Sequence, residues 1–418
     1  MARICGTGMK CIVEKFSLDS EQPMTHLQLA CCSSHYAFPR QAPKYRPLHL
    51  TGHHSSVSAL VFGEKRTPLL LCSASEDYVI VWDVECCYRQ VREGIIATGV
   101  VVGTMLGKAV HLSLCTLNKR VAVCSGSRVI VVNAKRQEVL AVLNGHLGPV
   151  TASGFCPWEP SQLISVSEDR TFKIWDVNTE EILYQSSVLS GCPLLSLYFM
   201  DKHRQFVTGS ADGQVWCYTL PEDHKCHMVM KLDLQKLEQR HQKSVKSRLL
   251  CDGQRGEGET AKPVLSIWAQ SPQLDPSSMQ QRNSEIWIGS LDGLYLLDLA
   301  TSELLVKIPG LSILMVGSWA TSQGHNNKMW CLVTSLFEAK VALLDVTVAG
   351  LNSLCFLTEK AFSWEESLSV FPSSSPVPTS PLNAELKKRE PKSLKKTGQF
   401  LDILLYRNIW ASPLNQIR

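Results

Sequence analysis

Short apolar runs, each closed by a compact polar turn, recur along most of this chain. Leu69-Leu-Leu-Cys-Ser-Ala is followed by the turn Ser75-Glu-Asp77 and then by Val79-Ile-Val-Trp82-Asp83. Leu163-Ile-Ser-Val-Ser-Glu-Asp169 leads in the same way to Phe172-Lys-Ile-Trp175-Asp176. Runs this short, bounded by turn residues and rich in β-branched and aromatic side chains, predict strands rather than helices. The pattern returns in Arg120–Cys124, Ser125-Gly126-Ser127 and Val129–Val132, and again in Phe206–Gly213 with Val215–Tyr218. Ile286–Gly293 with Leu294–Asp298 and Trp330–Ser335 with Lys340–Asp345 are two further copies.

The two clearest copies share more than apolar rhythm. Each is preceded by Gly-His, at Gly52-His53 and Gly145-His146, and in both the His lies 29 positions before the Trp. This Gly-His to Trp-Asp layout resembles the WD40 repeat family, in which every unit is one four-stranded blade of a β-propeller. The resemblance implies an all-β WD40 propeller. Positions equivalent to the Trp fall at Trp82, Val132, Trp175, Tyr218, Leu297 and Leu344, giving about six recognisable blades. The step from Tyr218 to Leu297 is longer than the rest by roughly 35 residues. That excess predicts an inserted loop between about residues 221 and 262, with room for a short helix near Leu232–Leu250.

At the ends the pattern thins. His26–Cys32 reads as one strand of a further blade, and no Trp-Asp strand follows it before Gly52, so residues 1–50 predict only a partial N-terminal blade. The propeller is expected over 51–357, followed by a Pro/Ser-rich and basic linker over 358–399 and an unassigned segment over 400–418, together a disordered C-terminal tail. Within that tail, Pro372–Pro381 reads as a stiff spacer and Leu386–Lys396 as a basic stretch. Phe400–Tyr406 fits either a strand or a partner-binding segment. The incomplete first blade and the ending of the chain suggest an alternatively spliced or truncated form.

In WD40 units the His, a hydroxyl on the second strand, the turn Asp and the Trp form a buried hydrogen-bonded set. The resemblance implies such tetrads at His53, Ser73, Asp77, Trp82 and at His146, Ser165, Asp169, Trp175, with a partial one at Thr208 and Asp212, where Cys192 lies near the His place. Asp77 precedes Trp82 by five residues and Asp169 precedes Trp175 by six. Side chains alternate along a strand, so this slip would invert Trp82 unless the turn absorbs it. His, Ser and Asp together also suggest a hydrolase triad, but inside a packed blade they are expected to be structural.

Composition narrows function by exclusion. Apolar residues make up 44 % and charged residues 19 % of the 418, which fits a folded chain, and a net charge of +4 is too small to argue for nucleic acid. None of the 16 cysteines stands in a C-x-x-C pair, which disfavours zinc and redox sites and predicts buried thiols, with Cys31-Cys32 and Cys86-Cys87 on strands or loops. Gly99–Lys108 has the wrong spacing for a phosphate loop and reads as strand and turn. Gly209–Gly213 lacks the central Ser of a nucleophile elbow. No catalytic residue, metal site or cofactor is expected. The segment Lys231–Arg248, with six basic and two acidic residues, and the stretch Leu386–Lys396 read as solvated surface or an import signal rather than a nucleic-acid contact. The fourth residues of the stretches that begin at Trp82 and Trp175, Glu85 and Asn178, are not the Arg of ubiquitin-ligase substrate receptors.

What remains is a non-enzymatic scaffold for other proteins, cytoplasmic or nuclear, with no small-molecule substrate and no membrane partner. Glu76 and Glu168, each just before the turn Asp, are the candidate partner contacts. The alternatives are an incomplete propeller without independent function, and a weakly basic, nucleic-acid-associated nuclear adaptor.

Overall fold

The computed structural model describes residues 12–19, 24–32, 35–40, 48–200, 204–222, 225–249, 262–269, 285–309, 314–320, 328–334, 340–347 and 401–407. Among them the strands form seven four-stranded antiparallel sheets. Given from the first strand outward, the second sheet is Ala59–Arg66, Leu69–Ala74, Tyr78–Asp83 and Val100–Thr104. The third is Ala109–Leu114, Arg120–Ser125, Arg128–Asn133 and Val139–Asn144; the fourth is Val150–Phe155, Gln162–Ser167, Phe172–Asp176 and Ile182–Gln185. The fifth is Leu194–Met200, Gln205–Ser210, Gln214–Thr219 and His227–Asp233, and the sixth is Ser266–Ala269, Glu285–Ser290, Gly293–Asp298 and Glu303–Pro309.

The first and seventh sheets draw on both ends of the chain. The seventh takes Ile12–Asp19 as its outer strand beside Leu314–Ala320, Lys328–Thr334 and Lys340–Thr347. The first is Ala30–Cys31, His35–Arg40, Leu401–Arg407 and Leu48–His53. The six recognisable units are thus sheets two to seven. The expected partial blade is a complete sheet, because its missing third strand comes from residues 401–407. That corrects the expectation of a wholly disordered tail; Pro372–Pro381, Leu386–Lys396 and the rest of 358–399 lie outside the described residues.

First strands of successive sheets lie against one another all the way round, and that of the seventh lies against that of the first. Each sheet is therefore buried on both faces, which is why the second and third strands carry nearly continuous apolar runs. Leu69–Ala74 and Gln162–Ser167 are buried at every position. Between the fourth and fifth sheets, Phe172 packs edge-on against Phe206 and Tyr218, with ring centroids 5.1 and 4.8 Å away. Tyr218, standing where the Trp would be, fills that space as a ring.

Two helices interrupt the strands, one outside the sequence reading and one close to its expected place. α1 (Val84–Arg92) follows directly on the first Trp-Asp pair, and Asp83 caps it by accepting from the Cys86 amide at 3.0 Å. Glu85 in its first turn and Arg89 and Arg92 in its last complement the helix dipole. Cys86 and Cys87 are thus helical, not on a strand or loop. α2 (Leu234–Leu249) occupies the expected insertion, but His227–Asp233 before it is an outer strand, so the insertion starts later than residue 221.

Close packing between sheets is visible at Gly209. A Cβ there would clash with the Val264 side chain. Gly209→Ala should therefore destabilise the chain by about 1–3 kcal/mol through overpacking, read as a lowered midpoint in urea with an unchanged slope.

Candidate functional site

One face of the ring carries the turns between second and third strands and the loops linking each outer strand to the next sheet. What holds those loops is a set of buried polar chains. In the fourth sheet, Trp175 Nε1 donates to Ser165 Oγ at 2.8 Å, Ser165 Oγ lies 2.8 Å from His146 Nε2, and His146 Nδ1 lies 2.7 Å from Asp169 Oδ2. One tautomer satisfies every atom: the hydroxyl donates to Nε2 and Nδ1–H donates to the carboxylate. Asp169 also accepts from the Leu147 amide at 3.0 Å and from Thr171, so the relay ends by fixing two surface segments.

In the second sheet the relay gains a member. Trp82 Nε1 donates to Ser73 Oγ at 2.9 Å, and His53 Nε2 lies 2.7 Å from the same oxygen. His53 Nδ1 then meets Ser75 Oγ at 2.6 Å, and Ser75 donates in turn to Asp77; the direct imidazole–carboxylate distance is 3.6 Å. The one-residue difference in turn length is absorbed here. The wider turn accommodates Arg170 at φ 69°, whereas the tighter one leaves Asp77 further from the imidazole and Ser75 bridges the gap. Trp82 keeps its inward orientation, 1 % exposed, opposite Leu71 in the register.

The third set is not assembled the same way. Thr208 Oγ1 is buried and has no hydrogen-bond partner among the described residues, and it does not meet Asp212. Asp212 instead accepts from Ser190 Oγ at 2.7 Å and from Ser210, while the Cys192 amide donates to Ser190 Oγ. Ser190, rather than Cys192, takes the place of the His.

Ser165, His146 and Asp169 have the distances of a hydrolase triad, but Ser165 is fully buried and its oxygen is capped by the Trp175 indole. Burial depresses the His146 and His53 imidazoles, against the opposing pull of Asp169 and Asp77, and holds them neutral near pH 7. Burial raises Asp77, but Ser75 and the His54 and Tyr78 amides outweigh it and bring the carboxyl to about 2.

Around these fixed turns the surface is mixed. Glu76 and Glu168 are both exposed. Met105, whose amide donates to the Asp77 carbonyl at 3.1 Å, is 90 % exposed, and Leu147 beside Asp169 is 95 % exposed. Val188 is exposed next to Leu189, whose amide donates to the Arg170 carbonyl. The strand pattern gave no signal for these loop residues, because hydropathy read along a chain does not reveal which loops share a face.

A second missed feature is ionic. Glu238 of α2, 4 % exposed, meets Lys262 and Lys307; Lys262 and Lys307 in turn reach Asp292 at 3.0 and 3.2 Å, and Tyr295 Oη donates to Asp292 at 2.7 Å. Asp292 is the turn Asp of the sixth sheet, so lysines replace the imidazole there and fasten α2 in the same step. Burial pushes the Tyr295 hydroxyl well up, and the Asp292 carboxylate beside it adds to the rise.

On the inner side of the ring a cavity of about 190 Å³ is lined by His26, Leu29, Leu60, His111, Ile267 and Trp268, among others. Burial lowers His26 and His111 to about 4, and the neighbouring His111 imidazole adds to the lowering at His26. No group of three or more metal-ligating side chains occurs among the described residues. No helix among them is long and apolar enough to cross a membrane.

Residues 137–176, which hold Gly145-His146 and Trp175-Asp176, match the family described as WD domain, G-beta repeat. The chain is 27 % identical over 187 residues to the ribosome biogenesis protein WDR12 homolog of Nematostella vectensis, covering 40 % of this chain and 38 % of that one. It is 39 % identical over 87 residues to WD repeat-containing protein 75 of Danio rerio, covering 21 % and 10 %. Over 59 residues it is 32 % identical to the U3 small nucleolar RNA-associated protein 15 of Schizosaccharomyces pombe, covering 14 % and 12 %. The matches span less than half the length of these relatives. With its repeat motif and seven four-stranded sheets, the chain has WD40 propeller architecture.

Two outcomes follow from the geometry. Ser165→Ala should cost about 2–4 kcal/mol, because it strands both the Trp175 indole and the His146 imidazole, measured by denaturant unfolding. Four imidazoles have folded pKa values below the roughly 6.5 of an unfolded chain. The unfolded state therefore binds protons first, so stability is complete above that value and declines as pH falls from about 6.5 towards 4. The melting temperature should drop between pH 7 and 5, and His26→Gln with His111→Gln should flatten that drop.

Proposed function

We propose that this WD40 chain is a non-enzymatic scaffold that holds protein partners on the face bearing Glu76 and Glu168. The observation that carries the reading is the contrast at each turn. The polar relay beneath is sealed and chemically inert, while the loops it fixes expose acidic Glu76 and Glu168 beside apolar Met105 and Leu147. Rigid loops with mixed acidic and apolar surface suit a protein segment carrying basic and apolar residues, since little ordering entropy is lost on binding.

The names of two relatives, a ribosome biogenesis protein and a small nucleolar RNA-associated protein, favour a second reading as a nuclear adaptor within RNA-containing assemblies. In that reading the contacts to this chain are still protein contacts. Segments such as Gly52-His-His54, Pro68–Ser75, Gly145–Thr151, Phe155–Trp158 and Ala211–Gln214 resemble WD repeat-containing protein 27, and kinship with it is part of the proposal.

The test is affinity capture from cells with Glu76→Lys plus Glu168→Lys against the parent chain. Recovery of co-purifying proteins should fall about tenfold with the melting temperature unchanged. Unchanged recovery would sink the reading.

A further inference from the structure

The first sheet differs from the other six. In those, the second and third strands are chain neighbours joined by a turn; here the third place is filled by Leu401–Arg407, separated from the last preceding described strand by residues 348–400. It pairs antiparallel with His35–Arg40 on one side, from Asp402 opposite Arg40 to Arg407 opposite His35. On the other it pairs antiparallel with Leu48–His53. Those two strands are therefore parallel to each other and separated by one strand's width, so the outer strand Leu48–His53 is joined to its sheet only through the inserted one.

Ile403 is the anchor. It is fully buried, opposite Pro39 and Leu50, in one apolar cluster with Ala37, Leu48, Leu71 and Trp82. One feature loosens the grip: the pairing with Leu48–His53 is interrupted between Leu401 and Ile403.

We propose that the slot between His35–Arg40 and Leu48–His53 is a strand-binding site, and that Leu401–Arg407 is a resident exchangeable for an extended segment of another protein. The incoming segment carries an aliphatic residue at the Ile403 place, opposite Pro39 and Leu50. Backbone bonds supply affinity and the buried aliphatic position supplies selection, as in strand addition generally. A second copy of this chain is the poorer occupant. Exchange between copies opens two filled slots and refills both with the same strand, and it forfeits the tether. A foreign strand that pairs without the interruption gains bonds. Glu76 and Glu168 are not part of this slot, although its outer strand ends at His53 of the relay beneath Glu76.

A tethered strand competes at an effective concentration on the order of 1 mM. A labelled peptide of residues 400–408 added to the full chain should therefore half-saturate only near that concentration. The full-length Ile403→Ser variant should take up the same peptide at least tenfold more readily, and a peptide with the same substitution should enter neither. Hydrogen exchange on the unmodified chain reads the slot without any variant: amides of 401–407 and 48–53 should open together, before those of Gln162–Ser167. Equal uptake by variant and parent would overturn the proposal, as would protection of 48–53 persisting after 401–407 has exchanged. A concentration-dependent dimer abolished by Ile403→Ser would overturn the choice of a foreign strand.

Discussion

A sheet wedged between two others has no wet face, so any polar atom within it needs a partner from the chain itself. The ring of seven sheets rests on this constraint. Where the turn Asp, the His, the hydroxyl and the Trp are all present, the demand is met by a directional relay in which each member donates to the next. An unpartnered atom there costs about 1–3 kcal/mol, comparable to a sizeable share of a domain's net stability. The relay does a second thing. Its terminal carboxylate sits at the rim, and by accepting from amides such as that of Leu147 it makes loop geometry a consequence of core chemistry.

Different sheets answer the same demand differently. The second adds Ser75 to span a gap, the fifth substitutes Ser190 for the imidazole and leaves Thr208 without a partner, and the sixth sets Lys262 and Lys307, with Glu238, around its turn Asp292 in place of a neutral imidazole. The ionic solution differs in kind. Buried charges are tolerated only when closely paired, so it fixes α2 in place, whereas the imidazole relays fix only their own loops. An insertion at the sixth sheet is thereby built into the core rather than appended to it.

Much of this was legible in the sequence, and the parts that were not share a cause. Strands two and three of sheets two to seven stood out because burial on both faces leaves a run with few polar interruptions, as in Arg120–Ser125 and Arg128–Asn133. The Gly-His to Trp-Asp spacing fixed the fourth-sheet relay, but not the role of Ser75, since spacing cannot reveal that a tighter turn draws the carboxylate away. α1 leaves no mark in the strand pattern because Asp83 both closes the Trp-Asp motif and caps the helix. The ionic cluster was missed because its members come from four separated segments, and no local pattern marks them.

The hardest element to read was the one on which the first sheet depends. Leu401–Arg407 has the apolar content of a strand, yet its partners among the described residues, His35–Arg40 and Leu48–His53, lie at the other end of the chain. Local propensity says only that a segment can be a strand; which sheet it joins is decided by where an unfilled place remains. Here that place is the third position of the first sheet, where the N-terminal segment supplies strands on either side and no strand between. An open position of this kind exposes two rows of backbone donors and acceptors at once, a greater liability than a single free edge. A remote and imperfectly matched strand is therefore held there, because the alternative is a sheet divided in two.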